Sequence, residues 1–341
     1  MSELLERPGE AVRPESVYAF APDPDRARFL DRRVRERLAD SLDGIFESLG
    51  DDLGVRPAAA AGLAADIRRR RARPAVFGLY ADLVTAIFAD DLAGARALAA
   101  QLVDEPRAAG DLRQVTTDDA ALGAGQAERL RRMIDEESQG FAMAPLPPDG
   151  LDRSRRLLEE SFALLDAAAP ELAGELRGLI AELVWVDGTP EPGGLIFDGA
   201  TTFYLWGAVV LNAMRQHDRL GLAQALAHEG AHAHLLGVSV GQKLVENDDE
   251  ARYVSPLRHD LRPMDGIAHA VYVEARVVWC LQRLIGSGAL DAAEVQAAKA
   301  AIAHNRQCWR DGLETLDAHG RLTPDGERLF AEARRFMAAA S

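Results

Sequence analysis

Three side chains in one short stretch have the types and spacing to do chemistry. His228, Glu229 and His232 make a His-Glu-x-x-His sequence. On an α-helix, residues four apart lie one turn above each other on one face. The two imidazoles can therefore share a metal ion, with the glutamate close by. The plain alternative is two hydrogen-bonded, inert histidines on a partly buried helix face. Two histidines do not complete a metal site, and a third ligand is needed. Downstream, His269 and Glu274 are the candidates. Five residues apart on a regular helix, their side chains diverge by about 140°, which does not let both reach one ion. Glu274 as the third ligand suits a zinc peptidase, with Glu229 as the general base toward a metal-bound water. His269 gives a three-histidine site with open positions, which suits a redox-active iron. Spacing alone does not separate the two.

The His228–His232 pair needs a helix under it. One is expected from about Asp218, a suitable N-cap, to Leu236, with Gly237 past its end. Ala227, Gly230, Ala231 and Ala233 leave room beside the histidines for a ligand or a close neighbour. Just ahead, Thr201–Leu211 is rich in β-formers and reads as a strand. Such a strand could wall a substrate cleft and hold an extended peptide along its edge. After the helix comes a charged loop, roughly 238–264, with an acidic run at Glu246–Glu250 and with Arg252, Arg258 and Arg262. The acidic run reads as a solvated face. A helix from about Asp265 to Ile285 carries His269, Tyr272, Glu274 and Arg276. Helices over 291–318 and after Leu322–Gly326 close the chain.

The first half is expected to be helical. Residues 1–22 read as an irregular leader, and 23–145 as a helical N-terminal domain whose stretch 104–125 is a polar linker. The sequence APLPPDG at 144–150 is the clearest break. Residues 151–341 then form the metal-binding catalytic domain. The fold class expected is mainly α (α+β), with a gluzincin-like region in which a small β-sheet lies beside the metal helix.

Composition agrees. The 341 residues are 48% hydrophobic and 27% charged, and poor in aromatics, which favours helix. The net charge of −15 argues against nucleic acid or an anionic membrane as partner. The basic run Arg68–Arg71 reads as a solvated helix end. Cys280 and Cys308 make no disulfide framework. No signal peptide or membrane-spanning segment is evident, so a cytoplasmic protein is expected.

The segment Ser255–Tyr272 resembles the second signature of the HExxH-type peptide β-hydroxylases, iron(II)- and 2-oxoglutarate-dependent enzymes that act on ribosomally made peptides. That signature is Arg-x-Asp-x-Arg-Pro-x-x-Gly-x-x-His-x-x-Tyr. Arg258, Asp260, Arg262, Pro263, Gly266, His269 and Tyr272 fall in place. Leu322–Gly326 is similar to the family's ending, and the resemblance covers about 195–335. The chain departs from it at Gly230, Ala231, Leu257 and Leu261. The resemblance implies that His228, His232 and His269 hold iron(II). It implies an arginine for the far carboxylate of 2-oxoglutarate: Arg262 first, then Arg258, then Arg276. Tyr272 would hydrogen-bond the cosubstrate or an oxygen species, and Glu229 would orient a ligand or bind a substrate group. The implied reaction is hydroxylation of an unactivated peptide carbon, Cβ by expectation, in natural-product biosynthesis. The substrate would be a peptide, with or without a leader segment docked on the helical half. His234 points to another face and is not expected to be a ligand. His217, His259, His304 and His319 read as ordinary histidines. The alternatives are a zinc metallopeptidase with Glu274 as ligand, and a non-catalytic binding protein that keeps a metal scaffold.

Overall fold

In the computed structural model, the residues described are 17–105, 112–134, 140–189, 196–255 and 261–339. They form twelve α-helices and a small mixed sheet. The chain is mainly helical, as its composition requires. No helix among the described residues is long and apolar enough to cross a membrane. The chain divides into two compact units.

The first unit comprises 1–29, 157–178 and 218–341. It holds the start of α1 (Pro24–Leu53) and most of α7 (Pro148–Ala168) and α8 (Pro170–Leu179). It also holds α9 (Arg219–Val238), α10 (Met264–Ser287), α11 (Ala292–His319) and α12 (Pro324–Ala339). α10 is its central element and packs against α9, α11 and α12. Burial follows on nearly all sides: Ile267, Val271, Val273, Val277, Val278 and Leu281 are at most 1% exposed. A helix apolar all round belongs in a core rather than on a surface. The ends obey local rules. Asp218 caps α9 through the amide of Gly221. Asp291 and Glu294 form a capping box on α11. α10 stops at Gly288, whose φ of 74° lies in the left-handed region. Gly237, expected just past α9, lies inside it.

The leader expectation over 1–22 is corrected where the residues are described. Phe20 is 4% exposed and stacks on Phe336, with ring centroids 4.9 Å apart. It also meets the ring of Tyr272 edge-on at 5.8 Å.

The second unit comprises 30–156 and 179–217. Besides the rest of α1, it holds α2 (Pro57–Arg69), α3 (Pro74–Phe88), α4 (Leu92–Asp104), α5 (Asp119–Leu122) and α6 (Gln126–Ile134). Arg35 on α1 donates to the carbonyls of Ile67, Arg68 and Arg70 at the end of α2. Asp31 holds both Arg35 and the indole N–H of Trp206. In the basic run, Arg68 pairs with Asp40 and Asp43.

The sheet runs β1 (Arg113–Thr116), β3 (Glu182–Asp187), β5 (Ala208–Asn212), β4 (Gly199–Ala200), and β2 (Ala144–Pro145) also pairs with β3. β1–β3 and β3–β5 are parallel. Val115, Val184, Val186 and Val210 join Leu130, Met133 and Phe197 in one buried cluster.

This sheet bears on three expectations. The linker over 104–125 contains β1 and α5. The strand expected over 201–211 is confined to Ala208–Asn212, because Phe203–Leu205 is a 3₁₀ turn and Gly207 takes φ +86°. The carbonyl of Gly207 there accepts the amides of Ala181 and Glu182, which pins the entry to β3. Finally, the sheet belongs to the second unit, whereas the His228–His232 helix belongs to the first. The boundaries expected at 145–151 do not coincide with this division, since 179–217 groups with the N-terminal half.

Candidate metal centre

All three candidate ligand histidines lie in the first unit, on two neighbouring helices. His228 and His232 sit one turn apart on α9, with ring centroids 5.0 Å apart. His269 comes from the first turns of α10. Its ring lies 5.6 Å from that of His232, and the two Nδ1 atoms are 3.3 Å apart. Asp265 Oδ2 lies 3.7 Å from His269 Nε2. Burial pushes His232 well below the ordinary imidazole range, and His228 and His269 add to the effect. Burial also lowers His269, against the opposing charge of Asp265. Both rings are therefore held neutral, the form that offers a lone pair to a metal.

The fit of a metal can be tested on these distances. A metal–nitrogen length of roughly 2.0–2.1 Å and tetrahedral angles put two donor nitrogens roughly 3.4 Å apart, and their ring centroids roughly 5 Å apart. The His232–His269 and His228–His232 spacings match those values. Convergence of all three is a stricter condition. Among the described residues, no three His, Cys, Asp or Glu side chains already form such a group. The donor chemistry and pair spacings fit a metal, while closing the triad requires the rings to turn.

Gly230 is set by packing. A Cβ at this position would drive into Leu176 Cδ2 of α8, a side chain with no exposure. The absence of a bulky residue within His-Glu-x-x-His thus lets α8 press on α9. Overpacking a filled core costs about 1–3 kcal/mol, and alanine regains about 1 kcal/mol of helix propensity over glycine. Gly230→Ala is expected to be mildly destabilising and Gly230→Val clearly more so, in that order of urea midpoints.

Glu274 lies on α10, five residues past His269. It lies near enough to Cys308 on α11 to help raise that thiol's pKa, after burial. Its own carboxyl is 2% exposed, Oε2 has no hydrogen-bond partner among the described residues, and burial pushes its pKa up to about 8. From its ordinary 4.5 up to about 8, the folded chain keeps a proton that the unfolded chain has lost. Glu274's contribution is therefore least unfavourable below pH 4.5 and worsens as pH rises, by about 1.4 kcal/mol per unit. Glu274→Gln is expected to flatten this slope and to stabilise by up to roughly 4 kcal/mol at pH 8. Urea unfolding at pH 5 and pH 8 checks both the sign and the size.

Two residues assigned through the resemblance are placed elsewhere. Arg276 is 1% exposed; its guanidinium donates to Phe20 O at 2.6 Å and pairs with Glu175, which also takes Arg26 at 3.0 Å. Burial opposes its charge, and Glu175 and Tyr272 together more than compensate. Arg276 is thus a structural ion, not a clamp open to a cosubstrate. Tyr272 has no exposure, and its hydroxyl lies 3.1 Å from His234 Nδ1. It serves the interior rather than the histidine cluster. Arg262 is half-buried, and its backbone exchanges two hydrogen bonds with Tyr253, each 2.8 Å. Arg258, His259 and Asp260 lie outside the described residues. Glu229 is 3% exposed.

A cleft of about 260 Å³ adjoins His269, lined among others by Leu236, Lys243, Asp248, Asp249 and Asp265. Its volume suits a small molecule or a single side chain. Lys243, which pairs with Asp249 at 2.9 Å, is a cation beside His269 that sequence reasoning passed over. Its one signal was its place in the loop between the two ligand helices. The acidic run read as a solvated face contributes Asp248 and Asp249 to the same cleft. His234, set aside in the sequence as a non-ligand, is fully buried beside Tyr272.

Compared with known proteins, the chain matches no protein family and no curated protein.

Proposed function

We propose that this chain is an iron(II)- and 2-oxoglutarate-dependent oxygenase that hydroxylates a side-chain carbon of a peptide, with His228, His232 and His269 as the metal ligands. One observation carries the choice of ligands: His269 meets His232 Nδ1 to Nδ1 at 3.3 Å. That arrangement favours three imidazoles over the two-histidine, one-glutamate set of a zinc peptidase.

When bound, iron supplies activation of O₂, and 2-oxoglutarate supplies the electrons for it. The chain's own residues hold and orient. Neutral His232 and His269 present lone pairs without first losing a proton. With Arg276 committed to Glu175, Arg262 remains the described arginine proposed for the cosubstrate's carboxylate, and Lys243 is a second cation beside His269. The cleft next to His269 is the place proposed for the reacting side chain.

The protein reconstituted without oxygen with Fe(II), then given 2-oxoglutarate and O₂, is expected to release succinate, and the Zn(II) form none. Peptide cleavage by the Zn(II) form, with no succinate from the Fe(II) form, would overturn this reading in favour of a peptidase. Metal binding without turnover by either form would leave a binding protein.

A further inference from the structure

We infer that the buried Tyr272–His234 pair is a positioning device that sets the register of α9 on α10, and so the meeting of His232 with His269. The inference rests on the metal-site reading above. His234 and Tyr272 have no exposed surface, their rings stack 5.6 Å apart at 11°, and the hydroxyl lies 3.1 Å from Nδ1. The hydroxyl and Nδ1 share one hydrogen bond, whose donor is set by the His234 tautomer. Arg276, one turn further along α10, holds its guanidinium carbon 5.9 Å from the Tyr272 ring centroid. Arg276 is held in turn by Glu175, which also binds Arg26 and the amide of Asp23. Tyr272 thus ties α10 to α9, and Arg276 ties α10 through α8 to the start of α1.

The geometry gives the Tyr272–His234 pair its effect. His232 and His234 lie two residues apart, about 200° around α9. They flank Ala231, a small residue with no exposure. His232 meets α10 at His269 on one flank, and His234 meets it at Tyr272 on the other. Two polar contacts on opposite flanks fix both the rotation of α9 and its slide along α10. Apolar side chains alone leave those freedoms soft, because alanine and leucine contacts are nearly equivalent after a small shift.

The test is a Co(II) titration of the metal-free full chain, read by the visible spectrum and by dissociation constant. Partners behind metal ligands typically govern 10–100-fold in affinity. Tyr272→Phe is expected to weaken Co(II) binding by about that factor, and to alter the bound spectrum, with the far-ultraviolet circular dichroism retained. Leu329→Ala in α12 is expected to lose stability while keeping Co(II) affinity, which separates positioning from general loosening. If Tyr272→Phe does not fold, His234→Ala is compared with His234→Asn, whose side-chain amide stands near the place of Nδ1 and can donate or accept. The asparagine variant is expected to keep affinity within a few-fold and the alanine variant to lose it. Wild-type affinity and spectrum in Tyr272→Phe, or equal affinity in the two His234 variants, overturns the inference while leaving the metal site intact. A wild-type chain that binds no Co(II) overturns both.

Discussion

His269→Ala is expected to reduce divalent-metal affinity by two orders of magnitude or more, whereas Glu274→Gln keeps it within a few-fold. The expectation follows from where the two side chains go. His269 enters the cluster on α9 at an Nδ1–Nδ1 distance of 3.3 Å. Glu274, five residues on, is buried, with its Oε2 unpartnered among the described residues. Losing an outer partner of a metal ligand costs about 10–100-fold, so losing a donor itself costs at least as much. A titration with Fe(II) or Co(II) under nitrogen measures both variants. The histidine change removes a half-buried ring and is expected to leave the fold in place by circular dichroism. The reverse result, with metal lost in Glu274→Gln and kept in His269→Ala, would establish the carboxylate as the ligand and favour the peptidase arrangement.

Glu175→Ala is expected to be the most destabilising single change in the first unit. Arg26 and Arg276 are both about 1% exposed at the side chain, and Glu175 is the carboxylate that pairs with each. Its removal leaves two buried guanidinium groups with carbonyls as their partners, at Ala21 and Phe20. Breaking a buried ion pair by removing one member costs about 3–5 kcal/mol, because the surviving charge stays desolvated. Two survivors place this variant at or above the upper end. Glu175→Gln keeps the shape but not the charge, and is expected to recover only part of the loss. Urea midpoints of the three proteins report the ranking. A midpoint for Glu175→Ala within about 1 kcal/mol of wild type would mean that the arginines are compensated from elsewhere.

What was legible in the sequence was local. Asp218 as the cap of α9, the His228–His232 turn and the run of α10 each follow from neighbours a few residues away, and the helical character follows from composition. The sheet was not legible. β1 and β3 are short parallel strands whose partners lie far along the chain, such as Val115 beside Val184. A buried strand such as Glu182–Asp187 reads as the tail of the helical pattern that precedes it. The roles of Tyr272 and Arg276 failed for a related reason. Their spacing from His269 was read correctly, but spacing on one helix does not say which neighbour receives a side chain. Arg276 meets Glu175, 101 residues earlier, and Tyr272 meets His234. Arg276 had a partner that no local pattern could reveal.

X-ray absorption on the Fe(II)-loaded chain, counting imidazole ligands, tests the metal assignment most directly. Three imidazole nitrogens, falling to two in His269→Ala and unchanged in Glu274→Gln, are the expected result. Two imidazoles with a carboxylate that disappears in Glu274→Gln would contradict it.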